Sequence, residues 1–68
     1  KKTNKIIKKK IIIENNVFIG SHSVILGGTV IKRFSVVAAG TVLRGEIVPE
    51  YSLAFGNPVK IKKNYYKK

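Results

Sequence analysis

The side chains able to do chemistry in this sequence are few and scattered. One histidine, His22, and three acids, Glu14, Glu46 and Glu50, stand among apolar residues and lysines, and there is no cysteine or aspartate. A zinc centre draws three or four His, Cys or carboxylate ligands into one place, and disulfide or thiolate chemistry needs cysteine. Neither a protein-built metal site nor redox chemistry is therefore expected. Ammonium groups are the abundant reagent: Lys and Arg number 14 and the formal net charge is +11. Lys1, Lys2, Lys5, Lys8, Lys9 and Lys10 open the chain, and Lys60, Lys62, Lys63, Lys67 and Lys68 close it. Between Ile11 and Val59, Lys32, Arg33 and Arg44 balance the three Glu. A nucleic-acid-binding domain presents a basic face on its folded body. Two lysine-rich ends around a neutral body point instead to solvated termini or local contacts with a small anion.

At 68 residues the chain is at most one small domain or a piece of a larger one, and a self-contained enzyme is not expected. Its apolar runs fall short of the ~20 residues that span a membrane, and its start lacks the apolar core of a signal peptide. The expectation is a soluble, cytoplasmic protein with three parts: a basic segment at 1–10, a patterned body at 11–48 and an exit loop with a basic tail at 49–68.

The elements that must position the few polar groups follow from a repeat of six. From Ile13 to Val48 the sequence reads IENNVF, IGSHSV, ILGGTV, IKRFSV, VAAGTV, LRGEIV. The first column is Ile13, Ile19, Ile25, Ile31, Val37 and Leu43; the fifth is Val17, Ser23, Thr29, Ser35, Thr41 and Ile47; the sixth is Phe18, Val24, Val30, Val36, Val42 and Val48. Six fits neither the helical period of 3.6 nor the strand period of 2. Short strands joined by tight corners do fit. Columns five, six and one form the strand, with column one inward, six outward and five inward. Columns two to four turn the corner, where Gly20, Gly27, Gly28, Gly40, Gly45, Asn15 and Asn16 allow left-handed backbone.

Three such strands close a triangular tube, so residue i lies over residue i+18: Ile13 on Ile31, Ile19 on Val37, Ile25 on Leu43. The fold class expected is all-β, a parallel solenoid of about two coils, and residues 7–12 could add a further face. So thin a stack needs more coils or partners, and the apolar sixth column is either plain strand propensity or an interface between copies, for which threefold association suits the shape.

The run IENNVFIGSHSVILGGTVIKRFSVVAAGTVL, followed by VPEYSLAFGNPVKIKK, resembles the C-terminal part of the hexapeptide-repeat acyltransferases, and most nearly the galactoside, maltose and polysaccharide O-acetyltransferases. The likeness runs from about Ile11 to Lys63 and includes the exit pattern P-x-Y-S-x-x-x-G-N-P-x-K. It implies a left-handed parallel β-helix, a homotrimer, and transfer of an acetyl group from acetyl-CoA to a sugar or polysaccharide hydroxyl. The family's general base is a histidine in an earlier coil, so none of the residues present is expected to be catalytic, and His22 is expected at a corner or on the surface.

The resemblance further implies a CoA groove between adjacent prisms, one wall of which these residues would supply. Ser21 and Ala39 match positions that meet the pantetheine, Arg44 matches the basic position at the end of the coil, and Lys60 and Lys63 match basic positions near the nucleotide phosphates. Gly56 and Pro58 would shape the reversal after the coil, and Tyr51 would cap the open end. Departures from the family pattern are the absence of glycine at Glu14, Leu26, Lys32, Ala38 and Arg44, and one extra residue between Leu43 and Pro49, which shifts the match of Arg44 by a position. A γ-class carbonic anhydrase shares the prism but needs three histidines. Two other readings stand beside the transferase: a non-catalytic β-helix assembly module and, least favoured, a lysine-tailed nucleic-acid binder.

Overall fold

In the first two coils strands form where columns six and one of the hexads meet, because the mostly β-branched pairs there alternate outward and inward between corners that cannot extend them. The structure is a computed structural model that describes residues 9–66. It contains β1 (Ile12–Ile13), β2 (Phe18–Ile19), β3 (Val24–Ile25), β4 (Val30–Ile31), β5 (Val36–Val37), β6 (Val42–Leu43), β7 (Ile47–Val48), β8 (Leu53–Phe55) and β9 (Lys60–Lys62). Among the described residues there is no helix long and apolar enough to cross a membrane. Ile7 and Lys8, part of the further face suggested for 7–12, lie outside the described residues.

The strands stack into three walls. Face A is β1-β4-β7, face B is β2-β5-β8-β9 and face C is β3-β6. Every contact between successive coils is parallel, and β9 alone runs antiparallel, against β8. Ile13 lies on Ile31, Ile19 on Val37 and Ile25 on Leu43, the pairs expected from the eighteen-residue count. Ile31, Val37 and Leu43 are fully buried, together with Val48 and Ala54. Ile13 is inward by register yet 46% exposed, since among the described residues no coil lies above it.

Column five has a second use that its small size conceals. Thr29 Oγ1 donates to Leu26 O (2.7 Å), Thr41 Oγ1 to Ala38 O (2.6 Å) and Ser35 Oγ to Pro49 O (2.7 Å). These hydroxyls are fully or almost fully buried, and each meets a corner carbonyl that the ladder cannot reach.

Two expectations are corrected. Ile47 was expected inward and Val48 outward, but Ile47 is 59% exposed and Val48 is 0%. The register there is Val30 with Ile47 and Ile31 with Val48, so this coil advances seventeen residues instead of eighteen. The extra residue expected between Leu43 and Pro49 is therefore not found: the corner at Arg44 and Gly45 is one residue short, and a slip of one exchanges the two sides of a strand. The short corner is closed by side chains: Glu46 Oε1 accepts from the Arg44 N–H, and the Gly45 N–H donates to Thr29 Oγ1 at 2.9 Å.

The second correction concerns the exit segment. Instead of an irregular tail directly after Val48, β7 and β8 start a third coil, and β9 folds back so that Val59 and Ile61 pack against the core. Those two residues close the C-terminal end. Tyr51 does not cap it; its ring lies at a corner, stacked on Phe34 with centroids 5.2 Å apart and planes 8° from parallel.

The corners, named by the faces they join, share one backbone device. The residue just before each column-five position, counted with the one-residue slip after Arg44, takes a left-handed φ: Asn16, Phe34 and Tyr51 at corner AB, His22 and Gly40 at corner BC, Gly28 and Gly45 at corner CA. Glycine, Asn and His adopt this conformation readily, whereas a bulky residue incurs about 1–2 kcal/mol. Phe34 and Tyr51 are thus the strained corners. Their stacking returns about 0.5–1.5 kcal/mol, less than the two penalties together.

Candidate functional site

Corner BC holds the residues matched to the pantetheine wall. Ser21 sits directly over the next coil, its carbonyl accepting from the Gly40 N–H at 3.0 Å, while Ser23 Oγ donates to Ala38 O at 3.0 Å. The coils approach so closely that a Cβ on Gly20 would lie 2.5 Å from Ala39 N. Only glycine fits at that position. The result is a flush, narrow strip of Ser21, His22, Ala39 and Gly40, all exposed. His22 occupies a left-handed corner (φ 62), as expected of a corner residue.

Arg44 leaves the opposite side of face C, at corner CA. Face C has only two strands, and Arg44 reaches past the place of a third to donate from Nη1 to Asn57 Oδ1 at 3.4 Å. Asn57 follows β8 at corner BC, so the guanidinium is drawn toward the strip that Ser21 and Ala39 form. Asn57 had drawn no attention in the sequence beyond its place in the GNP triplet, because only the missing strand of face C makes it Arg44's partner.

Lys60 pairs with Phe55 at the start of β9, near corner BC. Lys63 follows the other end of that strand, beside Asn64, whose N–H donates to Ser52 Oγ at 3.4 Å. Three residues of extended chain span roughly 10 Å, so Lys63 lies near corner AB while Lys60 lies near corner BC. The fold therefore brings Ser21, Ala39, Arg44 and Lys60 toward one corner and sets Lys63 apart. Lys62, which the sequence reading passed over, projects beside Lys60, its Nζ 5.9 Å from the Phe55 ring centroid and 5.6 Å from that of Tyr65.

Electrostatics separate the corners. Glu14 and Glu50 lie at corner AB, where Arg33 Nε donates to Glu50 Oε1 (2.9 Å) and the Arg33 N–H to Glu14 Oε1 (3.1 Å). Glu46 is tied to the Arg44 amide at corner CA. With all three acids engaged elsewhere, corner BC is a strip without carboxylates, flanked by cations. Such a strip suits a phosphate-bearing ligand, since its cations attract an anion with no carboxylate beside them to oppose it. Among the described residues, no three His, Cys, Asp or Glu side chains gather as a metal ion requires.

A solenoid of hexads with a left-handed residue at each corner defines a class, the hexapeptide-repeat β-helix proteins. Residues 10–45 match the bacterial transferase hexapeptide (six repeats) family, and the chain belongs to it. Its fold is that family's left-handed parallel β-helix. Over 51 residues, 75% of the chain, it is 43% identical to the dTDP-3-amino-3,6-dideoxy-alpha-D-galactopyranose 3-N-acetyltransferase of Aneurinibacillus thermoaerophilus, of which it covers 26%. Over 81% of its length it is 38% identical to 26% of the galactoside O-acetyltransferase of Lactococcus lactis. It is also 42% identical to 19% of a probable acetyltransferase of Mycobacterium tuberculosis, a match that takes in 87% of the chain. The chain thus spans about a quarter of the length of the first two relatives and less of the third.

Proposed function

We propose that this chain is the C-terminal part of an acetyl-CoA-dependent acetyltransferase that modifies a sugar or polysaccharide hydroxyl. It would supply one wall of the CoA groove and part of a homotrimer interface. The observation that carries the reading is the carboxylate-free strip at corner BC, flush because Gly20 has no side chain and flanked by Arg44 and Lys60, on a fold whose relatives are acetyltransferases.

In the proposed reaction the acceptor oxygen attacks the thioester carbonyl carbon, its proton passes to a general base, and the carbon–sulfur bond breaks to release CoA. The base is a histidine outside these residues. The role of the residues present is binding: Ser21 and Ala39 let the pantetheine arm lie close to the backbone, and Arg44, Lys60 and Lys63 stand toward the phosphates, Lys60 nearer than Lys63. A nitrogen acceptor on an amino sugar is the second reading, favoured by the relative named as a 3-N-acetyltransferase. A cytoplasmic location accompanies either reading, since acetyl-CoA is a cytoplasmic metabolite.

Equilibrium dialysis with CoA tests the proposal. The full-length protein that contains these residues should bind, and Ala39→Glu, which sets a carboxylate on the strip, should weaken its binding at least tenfold. Absence of CoA binding, or equal affinity in the variant, refutes it and leaves the non-catalytic assembly module as the better description.

A further inference from the structure

The strip at corner BC is interrupted by a notch. From one coil to the next, the same turn position is filled by His22, Gly40 and Asn57. The eighteen-residue register that pairs Ile19 with Val37 sets His22 over Gly40, and the seventeen-residue register that pairs Val37 with Ala54 sets Gly40 over Asn57. Neighbouring strands lie about 4.8 Å apart, so His22 and Asn57 stand roughly 10 Å from each other across Gly40. A Cβ built on Gly40 would meet no heavy atom within 4 Å, whereas one on Gly20 would lie 2.5 Å from Ala39 N. The floor of the notch is open while the wall beside it is closed. Backbone shape does not force glycine at 40 either, since His22 holds the same left-handed conformation one coil above (φ 62 against 75).

Both ends of the notch carry nitrogen donors. At the lower end Asn57 Oδ1 accepts from Arg44 Nη1 at 3.4 Å, which brings the guanidinium there. At the upper end stands the imidazole of His22, an exposed residue. Among the described residues, the other charged side chains on this side are Lys60, near the corner, and Lys62 beside it on face B. The three acids are engaged at the other two corners, Glu14 and Glu50 with Arg33 and Glu46 with the Arg44 amide. A protonated imidazole in this place has cations for neighbours and no carboxylate to pair with, so an anion in the notch is its natural partner. Two oxygens of one phosphate, each with a charged hydrogen bond of about 2.8 Å on its outer side, span roughly 8 Å, which is the scale of the notch.

We propose that His22, as imidazolium, and Arg44 clamp one phosphate group of the ligand across Gly40. His22, which takes no part in the reaction proposed above, thereby has a binding role, and affinity depends on pH. An anion binds the protonated ring more tightly than the neutral one, so the complex keeps the proton to higher pH than the free protein does. The extra affinity is therefore present at low pH and is lost as pH rises through the range in which histidine gives up its proton. The inference rests on the reading of corner BC as the CoA strip.

Equilibrium dialysis of the full-length protein that contains these residues, at pH 5.5 and pH 8, tests it. The probe is dephospho-CoA, whose diphosphate diester keeps one charge at both pH values, and pantetheine is the phosphate-free control. The unmodified protein should bind dephospho-CoA several-fold more tightly at pH 5.5. His22→Asn, which suits left-handed backbone, should remove most of that gain and leave pantetheine binding unchanged. Comparing the two proteins cancels the contribution of histidines elsewhere in the full-length chain. Gly40→Asn, which puts a side chain into the notch, should weaken dephospho-CoA binding at least fivefold while the circular dichroism spectrum is kept. The clamp is overturned, and the strip retained, if His22→Asn keeps the gain at pH 5.5, if it weakens pantetheine as much as dephospho-CoA, or if Gly40→Asn binds dephospho-CoA as the unmodified protein does. If the unmodified protein binds neither probe at either pH, the strip itself is refuted and the clamp falls with it.

Discussion

Replacing Val48 and Ile47, one at a time, by threonine tests the seventeen-residue step directly. Threonine matches valine in volume, so at position 48 the change adds a hydroxyl to a fully buried site beside Ile31, Val37 and Leu43 without opening a cavity. A buried hydroxyl without a partner costs about 1–3 kcal/mol by protein mutational data. For a domain of this size each kcal/mol moves the thermal midpoint by about 4–8 °C. Val48→Thr should therefore lower the midpoint by roughly 10 °C. Ile47 is 59% exposed, so Ile47→Thr presents its hydroxyl to water and loses only part of an aliphatic contact. Its cost should be under about 1 kcal/mol, or less than half the shift of its neighbour. Thermal melts followed by circular dichroism, at one protein concentration for all samples, decide the matter. If Ile47→Thr proves the more damaging, the coil keeps its eighteen-residue step, Val48 faces outward, and the short corner described above is wrong.

Four other outcomes are expected. Gly20→Ala drives a methyl group to 2.5 Å from Ala39 N and should destabilise the fold by about 1–3 kcal/mol in urea titration, with a parallel loss of CoA affinity. Thr29→Val removes the donor to Leu26 O and the acceptor of the Gly45 N–H, and about 1–3 kcal/mol should be lost in the same assay. Glu50→Gln breaks an ion pair whose side chains are 56% and 45% exposed, so the change should stay below about 1 kcal/mol and vanish at high salt. Lys60→Ala should weaken CoA binding several-fold more than Lys63→Ala, because the two lie at opposite ends of β9; equal effects would contradict that placement.

Much of the architecture is written in local order. Six-residue spacing of Ile13, Ile19, Ile25, Ile31, Val37 and Leu43 points to short strands and three walls, since a helix cannot place all six on one side and a single strand cannot run through the Gly and Asn that recur between them. It also fixes the pairs Ile13–Ile31, Ile19–Val37 and Ile25–Leu43, for their register is only a matter of counting whole corners. The same counting puts Ser21 over Ala39 and makes His22 a corner residue. A warning of the short coil is also present: Ile47 stands in a column otherwise mostly filled by Ser and Thr.

Other features depend on groups brought together from distant parts of the chain. Whether the Arg44 corner holds three residues or two is decided by Glu46 and Thr29 satisfying its amides, and those bonds exist only once the coils have stacked. The third coil and the β9 cap arise because Val59 and Ile61 find the open end of the core. Arg44 meets Asn57 because face C lacks a third strand, and Lys63 is separated from Lys60 by the direction of β9. Sequence set the period and the inward side of the first two coils, because these follow from backbone geometry repeated without change. The tertiary structure alone decided where that repetition broke and which distant side chains came to share a corner, because both depend on hydrogen bonds and packing between coils.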